Sequence, residues 1–186
     1  VMESVEPGDI VLTRQASYLT GILIPGYWTH ASMYMGSKKE LADMFGSDFS
    51  ELEDLLDFDT DEPILLEAVG AGVSASRAKH ALQADSVIVL RPKVGVYDKL
   101  RALKFILENL NKEYNFTFDF SDEESFICSE LVYKAYSDRE TGDQNLGFEI
   151  KSILGNWTFT PQDMFDSFVG GNEKLEMVVC FLHNKY

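Results

Sequence analysis

The 186-residue sequence has the length of one ordinary domain, and its 45% hydrophobic and 25% charged residues exclude a disordered or fibrous chain. A formal charge of −15 opposes binding to a phosphate backbone, and no apolar run approaches the roughly 20 residues of a membrane-spanning helix, so neither nucleic acid nor a bilayer-crossing segment is expected. Two cysteines, Cys128 and Cys180, are too few for a disulfide framework, and a chain of this length buries enough surface to fold without one.

Glu6-Pro-Gly-Asp9 is a turn signal, and Ile10-Val-Leu-Thr-Arg14 has the branched, apolar character of a buried strand. A loop with a short apolar turn around Leu19–Ile24 follows, closed by Pro25-Gly26. Thr29–Met35 then alternates as a second strand with His30 near its start. Residues 40–62 hold ten acids and no base, and so carry most of the net charge. Leu41, Met44 and Phe45, then Leu52, Leu55 and Leu56, have the spacing of helices packing one face, with the acids on the solvated side. The expected organisation is one domain over 1–186 with an acidic surface insertion at about 38–62, which carries no chemistry of its own. A cleft bordered by that acidity would favour a cationic or amine-bearing substrate.

Ile64–Val69 is an apolar strand candidate interrupted by Glu67, and Gly70-Ala-Gly72 makes a tight turn after it. Ser86–Arg91 is a further strand stopped by Pro92, and Tyr97–Leu110 a helix with Asp98 in its first turn. Tyr114–Phe120 alternates aromatic and polar residues. Asp122-Glu-Glu-Ser125 supplies acids and a capping residue ahead of a helix over Phe126–Tyr136. Residues 138–158 are polar and Gly-containing, Thr160-Pro-Gln-Asp163 opens another helix, and Leu175–Leu182 is a final strand.

Several chemistries are missing from this pattern. Gly70-Ala-Gly72 lacks the spacing and the Lys-Ser/Thr of a phosphate loop, and no Gly-x-Ser-x-Gly elbow is present. Among His30, His80, His183 and the two cysteines no pair has the spacing expected of a structural zinc site, so no metal and no cofactor is expected. Cys128 at a helix entrance is placed where backbone N–H groups and the helix dipole favour a thiolate, although a buried cysteine also serves as a small hydrophobe. Cys180, flanked by Val178, Val179, Phe181 and Leu182, reads as core. Glu67 among Ile64, Leu65, Leu66, Ala68 and Val69 is costly to bury without a partner, and an imidazole N–H is the natural one. Cysteine, histidine and carboxylate together have the logic of nucleophile, base and orienting group; spacing alone does not bring them together.

Pro7-Gly-Asp-Ile-Val11, Trp28-Thr-His-Ala-Ser32, Leu66-Glu-Ala-Val69, Tyr114–Phe120 leading to Ile127-Cys-Ser-Glu-Leu-Val132, and Thr160-Pro-Gln-Asp163 give the chain its resemblance to a known group. It resembles the NlpC/P60 superfamily of papain-like cysteine hydrolases in its circularly permuted branch, the YiiX/YebB-like proteins. The resemblance implies an α+β fold, a papain-like antiparallel sheet or small barrel packed against the helix carrying Cys128. It implies Cys128 as nucleophile, His30 as general base and acid, Glu67 as the residue orienting the imidazole, and Tyr114 as a substrate-lining residue, although the Gly-Gly that follows this tyrosine in unpermuted relatives is absent. The implied activity is hydrolysis of an amide in a peptide or peptidoglycan-like substrate through an acyl-enzyme. Two alternatives stand beside it. One is an acyltransferase or lipid or ester hydrolase resembling lecithin:retinol acyltransferase-like enzymes, from whose Asn-Cys-Glu-His pattern Ile127-Cys-Ser-Glu-Leu131 departs. The other is a non-catalytic ligand-binding module. No export signal is visible, and an opening at Val1 fits either a trimmed or a processed N-terminus, so the compartment stays open, with export or the cell envelope following only from processing.

Overall fold

The computed structural model of the chain describes residues 4–14, 26–58, 60–117, 120, 124–137, 145–153 and 156–182. The apolar turn expected around Leu19–Ile24, the acids at 122 and 123, and His183 lie outside them. Six strands form one open antiparallel sheet: β1 (Ile10–Arg14), β2 (His30–Gly36), β3 (Ile64–Val69), β4 (Gly72–Arg77), β5 (Ser86–Pro92) and β10 (Leu175–Leu182), in the order β10-β5-β1-β2-β3-β4. Of the two forms expected, the sheet is present, and it does not close into a barrel.

Alternation along the strands explains why most of them read as apolar throughout. Ile10, Leu12, Met33, Leu66 and Ile88 point to one face, where they pack with residues of α3 (Val96–Glu108) and α4 (Cys128–Ala135) such as Leu103, Ile106, Leu131 and Val132. Val11, Tyr34, Leu65, Val87 and Val89 point to the other face and form a smaller cluster with Val5, Ala78 and Ala84. With apolar side chains on both faces, the period-2 signal of a half-solvated strand is lost. The acidic segment folds as α1 (Lys38–Phe45), a 3₁₀ turn at Gly46–Phe49 and α2 (Ser50–Glu53). Leu41, Phe45 and Leu52 turn inward as the helical spacing predicts, and Asp43, Asp48, Glu51 and Glu53 face solvent.

Three elements differ from expectation. β4 was hidden because Val73-Ser-Ala-Ser76 has small side chains and little apolar character, yet it completes a hairpin with β3 in which Glu67 stands opposite Ser74. Among the described residues of Tyr114–Phe120, the alternation yields only the end of β6 (Glu113–Tyr114), paired in parallel with β7 (Ser125–Phe126). In the stretch 138–158, whose polar composition shows no strand, β8 (Lys151–Ile153) pairs antiparallel with β9 (Asn156–Thr158) ahead of α5 (Pro161–Val169). Cys180 is also corrected: β10 is an edge strand, and Cys180 is exposed on it.

β4 is held in register from outside the sheet. Val73 N–H donates to the Lys112 carbonyl at 2.9 Å, and Asn111 N–H donates to the Val73 carbonyl at 2.9 Å. Gly72 makes this approach geometrically feasible, with φ of +111° and a position at which a Cβ would lie 2.5 Å from the Lys112 carbonyl oxygen. Gly72→Ala is therefore expected to destabilise the fold by about 2 kcal/mol through backbone strain and displacement of that carbonyl. Chemical denaturation measures this, and a loss below about 0.5 kcal/mol, the range of a neutral surface change, contradicts it.

Candidate active site

Cys128 owes its position to the first turn of α4. Ile127 is extended (φ −87°, ψ 161°) and offers no side-chain cap, so the capping role falls to Glu130, whose Oε2 accepts the Ile127 N–H at 3.3 Å. Ser125, expected as the cap, lies in β7 instead. Ser129 Oγ donates to the Phe159 carbonyl at 2.6 Å, and Leu131 and Val132 are fully buried in the core. The helix start is thus fixed from both sides, with Cys128 only 2% exposed.

The sheet opens to receive it. Pairing of β2 with β3 stops at Ser32 opposite Glu67, although β2 begins two residues earlier and β3 runs two residues further. Beyond that point the Ala31 backbone N–H donates to the Cys128 sulfur rather than to β3, and the Ser129 N–H donates to the same sulfur. The segment leading into β2 is clamped by α5: Gln162 Oε1 accepts the N–H groups of Tyr27 (2.8 Å) and Trp28 (3.2 Å). Gly26 permits that clamp, since a Cβ there would lie 2.5 Å from the Gln162 side chain.

His30 and Glu67 project on the same side of this opening. His30 Nε2 donates to Glu67 Oε2 at 2.6 Å, and the ring also hydrogen-bonds the Cys128 side chain. Glu67 Oε1 accepts from Ser76 Oγ. The half-buried ring of Tyr114 completes the surroundings, close enough to feel the charge of Cys128 and packed at 5.0 Å on Phe116.

Charges reinforce one another in this arrangement. Burial alone would raise the Cys128 thiol, but the His30 hydrogen bond and charge, with the two backbone donors, bring it below its ordinary value. Burial alone would lower His30, but its hydrogen bonds to Cys128 and Glu67 raise it to about 10. Glu67 is held below the usual carboxylate range: desolvation acts against this, and His30, Ser76 and the charge of His80 outweigh it. The lowered thiol and the raised imidazole both favour a thiolate–imidazolium pair over the neutral one. Tyr114 is pushed upward by burial and by the neighbouring sulfur, so its hydroxyl stays protonated.

A family model described as permuted papain-like amidase enzyme, YaeF/YiiX, C92 family, matches residues 4–178. The chain belongs to this C92 family of amidases. No curated protein and no solved structure matches it. The acidic segment begins beyond Gly36, at the far end of β2 from His30, about 20 Å away at the rise of a strand. Two of its acids pair with Lys38 (Glu53, 2.7 Å) and Lys104 (Glu51, 2.8 Å). Among the described residues no group of three or more histidines, cysteines and acids has a metal-holding arrangement, and no helix is long and apolar enough to cross a membrane.

Sequence reasoning overlooked Ser76, the Ala31 N–H and Gln162. Ser76 had a readable signal: in a hairpin turned by Gly70-Ala-Gly72, a hydroxyl two residues beyond the position opposite Glu67 shares the carboxylate's face.

Proposed function

We propose that this C92 amidase hydrolyses its amide through an acyl-enzyme on Cys128, with His30 as base and then acid, and Glu67 holding the imidazole. The observation that carries the reading is the His30 ring, bonded to Glu67 on one side and to the Cys128 sulfur on the other. The thiolate attacks the amide carbonyl, and the His30 imidazolium gives its proton to the departing amine. His30, now neutral, takes a proton from water, the hydroxide attacks the thioester, and the acid leaves as the thiolate re-forms. As the first residue of α4, Cys128 has a backbone N–H without an intrahelical acceptor, suited to the oxyanion of the tetrahedral intermediate. Tyr114, protonated and beside the sulfur, is suited to line the substrate site and donate to it. A peptide or peptidoglycan-like amide is the substrate class, and kinship with the wider NlpC/P60 superfamily rests on the sequence motifs.

One observation favours a second reading. Phe116, stacked on Tyr114, is 68% exposed, an apolar surface next to the site that would suit a fatty acyl group and hence acyl transfer or ester hydrolysis. Peptide amides and acyl esters offered to the protein, acid-quenched and read by intact and peptide mass spectrometry, are expected to yield an acyl adduct on Cys128 and free acid. Acyl product on an added amine, glycerol or lipid acceptor selects the second reading. Turnover with Cys128→Ala as active as the wild type overturns both.

A further inference from the structure

We propose that Ser76 is a positioning residue for the nucleophile–base pair, acting through Glu67 as the fourth member of a chain running Cys128–His30–Glu67–Ser76. The inference rests on the reading of Cys128 and His30 given above.

Glu67 has two carboxylate oxygens and each has its own donor: Oε2 takes the His30 N–H and Oε1 takes the Ser76 hydroxyl. A carboxylate held at one oxygen only can swing about its side-chain torsions. One held at both presents a fixed acceptor to the ring. The fixture is only as rigid as the strand that carries the hydroxyl, and β4 is tied down beyond its pairing with β3. At one end Val73 exchanges hydrogen bonds with Asn111 and Lys112; just past the other, Ala78 N–H donates to the Pro63 carbonyl at 2.8 Å. Ser76 faces Glu67 because the register places it opposite Leu65, diagonal to the carboxylate and on the same face of the sheet.

The groups around this chain are Cys128 and the N–H groups of Ala31 and Ser129 at one end, Tyr114 beside the sulfur, and His80, whose charge acts on Glu67 from the turn after β4. None of these substitutes for Ser76 at Oε1. Without the hydroxyl, the carboxylate supports the imidazolium less well and the thiolate–imidazolium pair is populated over a narrower span of pH. Its acid limb moves up as the thiolate becomes harder to form, and its alkaline limb moves down as the imidazolium loses its proton earlier.

The test is the pH profile of Cys128 alkylation by iodoacetamide, read by peptide mass spectrometry, in the wild type, Ser76→Ala, Ser76→Thr and His30→Ala. Ser76→Ala is expected to react about tenfold more slowly at neutral pH, the scale of losing a group that orients a functional ligand, with the rising limb of the profile displaced to higher pH. Ser76→Thr, which keeps the hydroxyl, is expected to restore the profile. A packing defect alone would lower the melting temperature without moving the rising limb of the folded fraction. A Ser76→Ala profile within twofold of wild type, or a Ser76→Thr profile like that of Ser76→Ala, overturns the proposal. If His30→Ala also leaves Cys128 unchanged, the pair itself is absent and the catalytic reading fails together with the role of Ser76; a change in His30→Ala but not in Ser76→Ala removes Ser76 alone.

Discussion

Replacing His30 by alanine is expected to lower amide turnover roughly 10³-fold or more, and to move the midpoint of Cys128 alkylation up into or beyond the ordinary thiol range. The sign follows from the forces on the sulfur. Burial pushes the thiol up, and His30 is the largest influence opposing it. With the imidazole gone, the N–H groups of Ala31 and Ser129 remain, which is less than is needed to offset desolvation of a sulfur in so enclosed a place. The same reasoning fixes the shape of the wild-type profile. Reactivity rises at a pH below that of an ordinary thiol, and turnover that depends on the imidazolium falls as His30 titrates at about 10. Glu67→Gln keeps the size of the side chain and removes its charge, so an intermediate loss is expected. Alkylation rates against pH for the three proteins decide the matter. Should His30→Ala react as the wild type does, the cysteine is not activated, and a groove that binds without cutting becomes the better account.

A loss of about 3 kcal/mol in folding stability is expected for Asp9→Ala, the scale of removing one partner of a buried ion pair. Asp9 is fully buried where Pro7-Gly-Asp turns into β1. Its Oδ1 accepts from Arg91 Nε at 3.0 Å, and its Oδ2 from Arg91 Nη2 at 2.8 Å and from the Glu6 N–H at 2.9 Å. Lys99, itself only 7% exposed, lies 4.0 Å away. Alanine would leave the Arg91 guanidinium without its two-pronged acceptor, Lys99 without a nearby buried anion, and the Glu6 N–H without its side-chain acceptor. The chemistry should not notice. Asp9 is at the opposite end of β1 from Thr13, the residue paired with His30, about 13 Å along the strand. Denaturation of Asp9→Ala alongside Cys128 alkylation in the folded protein tests both halves; a loss below about 1 kcal/mol, or a changed alkylation profile, contradicts this division of labour.

That division explains why parts of the molecule were legible in sequence and others were not. Pro7-Gly-Asp-Ile-Val11 carries the family resemblance, and the structure shows it to be architecture: a buried clamp remote from the thiol. β1 and β3 were readable to the residue because their apolar runs are bounded by turn signals, and α5 because Thr160, Pro161 and Asp163 form a reciprocal cap. His30, Glu67 and Cys128 could be named because each residue type is chemically conspicuous in its setting. What brings them together could not be read, because it depends on where the β2–β3 ladder ends and on which backbone N–H is thereby released. Ser76 escaped for a different reason, since its hydroxyl gains meaning only once the Gly70-Ala-Gly72 turn is used to set β4 in register with β3. Cys180 misled because flanking valines imply burial only if another strand covers them, and whether β10 lies at an edge is a property of the whole sheet.

The exposure of Cys180 gives the protein an internal reference thiol. Each molecule carries one sulfur enclosed by donors and one open to solvent, in fixed one-to-one ratio and in the same tube. The quotient of their labelling rates cancels reagent concentration and dosing error, so it isolates what the fold does to Cys128. On unfolding, the enclosure is lost and the two rates converge on those of ordinary cysteines, which makes the quotient a meter of native structure that needs no substrate.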